Sequence, residues 1–166
     1  MLPDLATSRL ALTPVGQDDL ELLRALNADA DVMRHLGGRP LDPDETDREW
    51  SQRLGERSDP DRGLGYWVGR IGDEFVGWWG LGACSWDDST ANLGYRLHPS
   101  HWGTGLATEG GRALLAHGFE TVGLASVWAS TRPENAASRR VLEKLGLRYV
   151  GLKYEQSQYE IRLSGS

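Results

Sequence analysis

Cysteine is almost missing from this chain: Cys84 stands alone. One thiol cannot form an internal disulfide or a cysteine-based metal cluster. It reads first as a small buried apolar residue. Lysine is nearly as scarce, with only Lys144 and Lys153, and neither lies in a glycine-rich loop, which excludes a P-loop. Positive charge as a whole is in deficit. The net charge of −6 lacks the basic surplus of a nucleic-acid binder, although a local basic pocket for a small polyanion stays open. No apolar run is long enough to span a bilayer, so no membrane partner is expected. The opening "MLPDLATSRLALTP" has no basic start followed by an apolar block, so no signal peptide is expected and the cytoplasm is favoured. Internal repeats, low-complexity blocks and long linkers are also lacking.

What remains is a globular composition of 166 residues, a quarter of them charged. That is enough for one domain, expected over 1–166, with a real core. Arg9–Pro14 alternates and reads as a strand. Asp18–Asn27 carries leucines at helical spacing, and "DADVMRHLGG" adds a short turn ending at Gly37–Gly38. Asp42, Pro43 and Glu45 form a helix start with a capping box, and that helix runs to about Arg57. "LGYWVGRI", "GD" and "EFVGWWGLG" read as a β-hairpin. "NLGYRL" is a further strand. A helix with a narrow, small-residue face covers Gly105–Phe119, and "ASVWAS" is a strand. A second strong helix starts at Asn135 and stops at Gly146. "LRYVGLKY" and "QSQYEIRL" close the chain as strands. Hairpins and crossovers are mixed, so the expected fold class is α/β of mixed type. It has a mostly antiparallel sheet of six to seven strands and helices on both faces.

The stretch "HPSHWGTGLATE", between a strand and a helix, carries Gly103 and Gly105. It could be a plain helix entry. A Rossmann fingerprint is rejected, because the third glycine would fall at Thr108 and the stretch follows several strands. A pyrophosphate cradle fits: backbone N–H groups and the helix dipole converge there, and small residues let a diphosphate approach.

"GYRLHPSHWGTGLATEG", followed by "NAASRRVLEKLGLRYVG", resembles the GNAT superfamily of acyl-CoA-dependent N-acyltransferases. It looks closest to the branch that acetylates the N-termini of ribosomal proteins. The similarity covers nearly the whole chain and implies a GNAT fold with splayed middle strands. It also implies acetyl-CoA as the cofactor, and a primary amine, either a small molecule or a protein N-terminus, as the acceptor. The family loop pattern falls on Trp102, Gly103, Thr104, Gly105, Leu106 and Ala107, with Trp102 in place of the usual Gln or Arg. The resemblance implies that Gly103–Thr108, including Thr104, Gly105, Leu106, Ala107 and Thr108, holds the CoA diphosphate. It implies that the strand around Leu97 pairs with the pantetheine arm, and that a backbone N–H near Leu97 is the oxyanion donor. It puts Asn135 on the pantetheine arm and Ser138 near the sulfur. Arg139 and Arg140 are candidates for the CoA 3′-phosphate.

Two departures matter. Many relatives outside this branch carry an acidic tyrosine four residues after the Ser138 position; here that residue is Leu142. Ser138 or a water is left as the acid. Relatives in this branch often carry a glutamate two residues before the "GY" of the fourth strand; here it is Asn92, which can orient an amine but cannot take its proton. His35 is a candidate base and acceptor contact. Seven tryptophans is a high number for this length. Trp79 or Trp86 is expected to contact the acceptor, and Asp87 and Asp88 could attract a cationic amine. His98, His101 and His117 read as surface residues. No metal site is expected. Homodimers are common among relatives. Two other functions stay open at this stage: a non-catalytic CoA-binding regulatory module, and transfer of a larger acyl group such as succinyl.

Overall fold

The computed structural model describes residues 1–163. Its strands are β1 (Leu5–Ala6), β2 (Ala11–Pro14), β3 (Gly65–Ile71), β4 (Glu74–Ala83), β5 (Thr90–Leu97), β6 (Ser126–Thr131), β7 (Arg148–Lys153) and β8 (Gln156–Arg162). They form one sheet in the order β1-β2-β3-β4-β5-β6-β8-β7. Neighbours run antiparallel except β5 and β6. The eight strands exceed the expected six to seven, because β1 has only two residues and is too short to leave an alternating pattern.

The helices are α1 (Leu20–Asn27), α2 (Ala30–Met33), α3 (Pro43–Leu54), α4 (Leu106–Ala116) and α5 (Ala136–Lys144). The capping box of α3 forms as expected: Glu45 N–H donates to Asp42 Oδ1, and Asp42 N–H donates to Glu45 Oε1. The helix ends at Leu54, short of Arg57. Helix α4 also ends early, at Ala116, where the coil widens into a π-type turn over His117–Val122. His117 is buried there, its Nε2 2.8 Å from Gly63 O and its ring edge-on to Trp67. The expectation of a surface histidine fails because His117 follows buried Leu114 at helical spacing and so falls on the inner face of the coil.

Alternation divides the core into two layers. Trp67, Trp79 and Leu81 face α4, while Tyr66 and Trp78 face α1 and α3. The small face of α4 has a steric cause. A Cβ at Gly110 would lie 2.3 Å from the Trp79 ring, and one at Gly111 would lie 2.8 Å from Leu145 Cδ1.

The opposite layer holds a buried ion network. Arg96 Nη1 donates to Asn27 Oδ1 at 2.6 Å and to Glu49 Oε1 at 3.1 Å. Arg53 pairs with Glu49 at 2.7 Å, and its guanidinium lies over the Trp50 and Trp78 rings. Burial pulls the Arg96 pKa down to about 10, against the pull of Glu49. Burial opposes the Glu49 carboxylate too, but Arg96 and Arg53 outweigh it and hold its pKa below the ordinary value.

Candidate active site

The parallel seam is short. Strands β5 and β6 pair at Thr90–Ser126, Ala91–Val127 and Asn92–Trp128, and then part, although β5 continues to Leu97 and β6 to Thr131. Ladder bonds alternate along a strand. His98 N–H donates to Val76 O on the β4 side, and Ser89 O accepts from Ala125 N–H just ahead of β6. The backbone groups of Leu93, Tyr95 and Leu97 therefore face the opening. Trp102 Nε1 donates to Leu97 O at 2.9 Å, which leaves the Leu97 N–H as the group offered at the mouth.

Beyond Leu97 the chain makes a short 3-10 turn over Pro99–His101 and enters the glycine loop. Gly103 and Gly105 both sit in the left-handed region, at φ 72° and 81°. A Cβ at Gly103 would meet nothing within 4 Å, and one at Gly105 would meet only Arg9 Nη2 at 3.5 Å. The concave side of the loop is thus open. The first N–H groups of α4, on Leu106, Ala107 and Thr108, have no intrahelical acceptor. They point into that open side together with the positive end of the helix dipole.

Two side chains brace the loop. Arg9 Nη1 donates to Thr104 O at 2.9 Å and its Nε to Glu109 Oε1 at 2.8 Å. Thr7 and the Arg9 backbone N–H also bond Glu109; against its burial, these bonds hold the carboxylate below its ordinary pKa. From below, Trp79 Nε1 donates to Ala107 O at 3.1 Å. Trp79 is fully buried and supports the cradle, so of the two tryptophans expected at an acceptor, Trp79 or Trp86, only Trp86 is exposed.

A groove of 660 Å³ runs beside the loop, lined by Arg9, Gly105, Thr108, Arg112, Lys144 and the Arg9-paired carboxylate of Glu109 among others. Arg112 and Lys144 are the cations it adds to Arg9. Arg139 and Arg140 lie exposed on α5 and do not line it. At the start of α5, Asn135 caps the helix, its Oδ1 accepting from Ser138 N–H at 3.2 Å. Ser138 Oγ lies 3.1 Å from the hydroxyl of Tyr95. Tyr95 is a residue the sequence reading missed. Its signal was legible: it shares the odd positions of β5 with Leu93 and Leu97.

Asn92 sits at the last paired rung, its Nδ2 3.4 Å from Trp128 O. By alternation it lies on the face opposite Tyr95. On that face β6–β8 border a second groove of 660 Å³, lined by Trp86, Asp87, Trp128, Tyr154 and Glu160 among others. Trp86 is 71% exposed, and its ring lies 6.0 Å from that of Trp128. His35 is half-buried in the turn after α2, and Asp88 is exposed.

Residues 9–148 match the family model described as the acetyltransferase (GNAT) domain.

This chain belongs to the GNAT acetyltransferase family.

The chain is 37% identical over 158 residues to the FsC-acetyl coenzyme A-N(2)-transacetylase of Aspergillus fumigatus, which covers 89% of this chain. It spans 66% of the length of that relative. An acetyltransferase of Agrobacterium tumefaciens superposes with a TM-score of 0.83 at 27% identity, covering 98% of this chain and 96% of that one. RimL, a ribosomal L7/L12 alpha-N-protein acetyltransferase in complex with coenzyme A, superposes with a TM-score of 0.81. At 16% identity, over 99% of this chain and 100% of that one, this likeness shows the shared fold alone. The GNAT donor is acetyl-CoA, and the site fits it: an open cradle of left-handed glycines at a helix N-terminus, beside strands that part. Among the described residues no helix is long and apolar enough to cross a membrane.

Proposed function

We propose that this GNAT acetyltransferase moves acetyl from acetyl-CoA to the nitrogen of a primary amine by direct attack, with no covalent enzyme intermediate. The observation that carries this reading is the parting of β5 from β6 next to the glycine cradle. Gly103–Thr108, with Trp102 closing the mouth at Leu97, hold the diphosphate through main-chain donors and the α4 N-terminus. Arg112 and Lys144, which line the groove beside the loop, and Arg139 and Arg140, exposed on α5, are the cations available for the remaining phosphate charge. The pantetheine arm lies along the open edge of β5, with Asn135 at its side, and the cofactor brings the activated acyl thioester. The Leu97 N–H faces the developing oxyanion, and such a donor contributes about 3 kcal/mol in acyl transfer.

The amine enters from the Asn92 face. Asn92 orients it, and the proton it loses goes to water or to His35. Trp86 and Trp128 offer aromatic faces to a cationic acceptor, and Asp87 adds charge. Hydrogen bonds from Ser89 hold Asp87 below its ordinary pKa, so it stays ionised at neutral pH. A small-molecule amine is favoured over a protein N-terminus, because the groove beside Trp86, Trp128 and Asp87 suits a compact cation. The test is release of free thiol from acetyl-CoA against a panel of diamines, amino sugars, amino acids and short peptides. Turnover confined to small amines supports this acceptor, and turnover confined to peptides overturns it.

A further inference from the structure

We infer that Tyr95 completes the thiol-protonating machinery of this site, acting through Ser138 across the gap between β5 and α5. This inference rests on the acyl-transfer reading above.

Position comes first. Tyr95 stands on the part of β5 that has no β6 partner, and its side chain lies on the α4–α5 face, opposite Trp79 in the β4–β5 register. Its hydroxyl meets Ser138 Oγ at 3.1 Å in the first turn of α5. The two hydroxyls thus join the elements on either side of the opening. Position 142, one turn along α5, holds a fully packed leucine and offers no proton.

Chemistry comes second. A serine hydroxyl alone is far too weak an acid to match a thiolate, whereas a phenol, even one whose pKa burial raises, is far closer to a thiol in acidity than a serine is. A phenol hydrogen-bonded behind the serine supplies the missing acidity. Burial raises the Tyr95 pKa and the Ser138 hydrogen bond lowers it less, so the phenol stays protonated at neutral pH. No charged side chain among the described residues adds to that shift. The balance is simple. The N–C bond forms as the C–S bond breaks. The sulfur takes the Ser138 proton, Ser138 takes the Tyr95 proton, and Tyr95 is reprotonated from water. The amine proton leaves to water, so amine and thioester become amide and thiol.

The test uses Y95F and S138A in the full chain. Y95F is expected to lower kcat by ~10²-fold while KM for acetyl-CoA changes less than about threefold. Its pH–rate profile loses the alkaline limb of the wild type. S138A lowers kcat similarly, and the double variant is no worse than the worse single one. A second readout needs no acceptor: the thiolate absorbance of bound CoA, titrated with pH. The wild type is expected to ionise bound thiol at lower pH than Y95F, because the relay donates a hydrogen bond to the thiolate. A folded Y95F with unchanged kcat, or with an unchanged thiol titration, overturns the inference. If no amine supports thiol release in the wild type, the acyl-transfer reading fails, and the thiol titration still decides the Tyr95–Ser138 link.

Discussion

The two halves of the sheet are finished differently. Strands β2–β5 are covered on both faces, by α4 on one side and by α1 and α3 on the other, with Trp50, Trp67 and Trp79 fully buried. Strands β6–β8 have a core on one face only. Edge strand β7 is exposed along almost its whole length, and Trp86, Tyr149, Val150, Leu152 and Tyr154 stand in solvent. The seam between the halves is where β5 and β6 part. The covered half and its glycine loop form a stiff donor frame. In the proposed reading, the open half presents the aromatic and acidic groove to the acceptor. Rigidity and close packing belong with the substrate common to the family, and exposure belongs with the variable one.

The largest break in that contrast is expected from Glu49→Ala. It strips a carboxylate from two guanidiniums in the covered half and should cost about 3 kcal/mol, at the low end for a buried pair because Glu49 is partly exposed. Chemical denaturation measures it. The sign with pH follows from the lowered Glu49 pKa. Its contribution is present above the ordinary carboxylate range and is lost as pH falls through the depressed folded value. Glu49→Gln should therefore flatten the acid limb of the stability curve.

Next in size is Gly105→Val. Forcing a β-branched residue to φ 81° costs about 1–3 kcal/mol, and the side chain fills the approach to the α4 amides. CoA affinity, measured by calorimetry, should fall tenfold or more. Unchanged affinity in a folded variant would remove the diphosphate from this loop. Trp79→Phe keeps the ring in the core but deletes the donor to Ala107 O, at about 1 kcal/mol. It should weaken CoA binding modestly and leave acceptor KM alone. Trp86→Ala is the mildest for the fold, within about 0.5 kcal/mol. It should raise KM for the acceptor several-fold without touching CoA affinity. If it changed neither, the open groove would not be the acceptor side.

The same contrast explains what was legible in the sequence. Capping residues and glycine positions report local backbone demands, so the α3 box, the Asn135 cap and a glycine loop at the start of α4 could be read directly. Trp79 could not be assigned from its neighbourhood, since Trp78 and Trp79 are equally apolar and only tertiary packing says which layer each enters. The Arg9–Glu109 brace spans a hundred positions, and one sequence holds no sign of it. The Tyr95–Ser138 contact is of the same kind: each residue sits in a recognisable element, but their meeting depends on how far β5 and β6 separate.

The central claim is that the parted strands and the cradle serve acetyl transfer to an amine. The most direct measurement is thiol release from acetyl-CoA with a panel of primary amines, followed by mass detection of the acetylated product. The account predicts thiol and N-acetyl amine in equal amounts, with acetyl-CoA preferred over succinyl-CoA. CoA binding with no thiol released above background hydrolysis would contradict it and leave a binding module in its place.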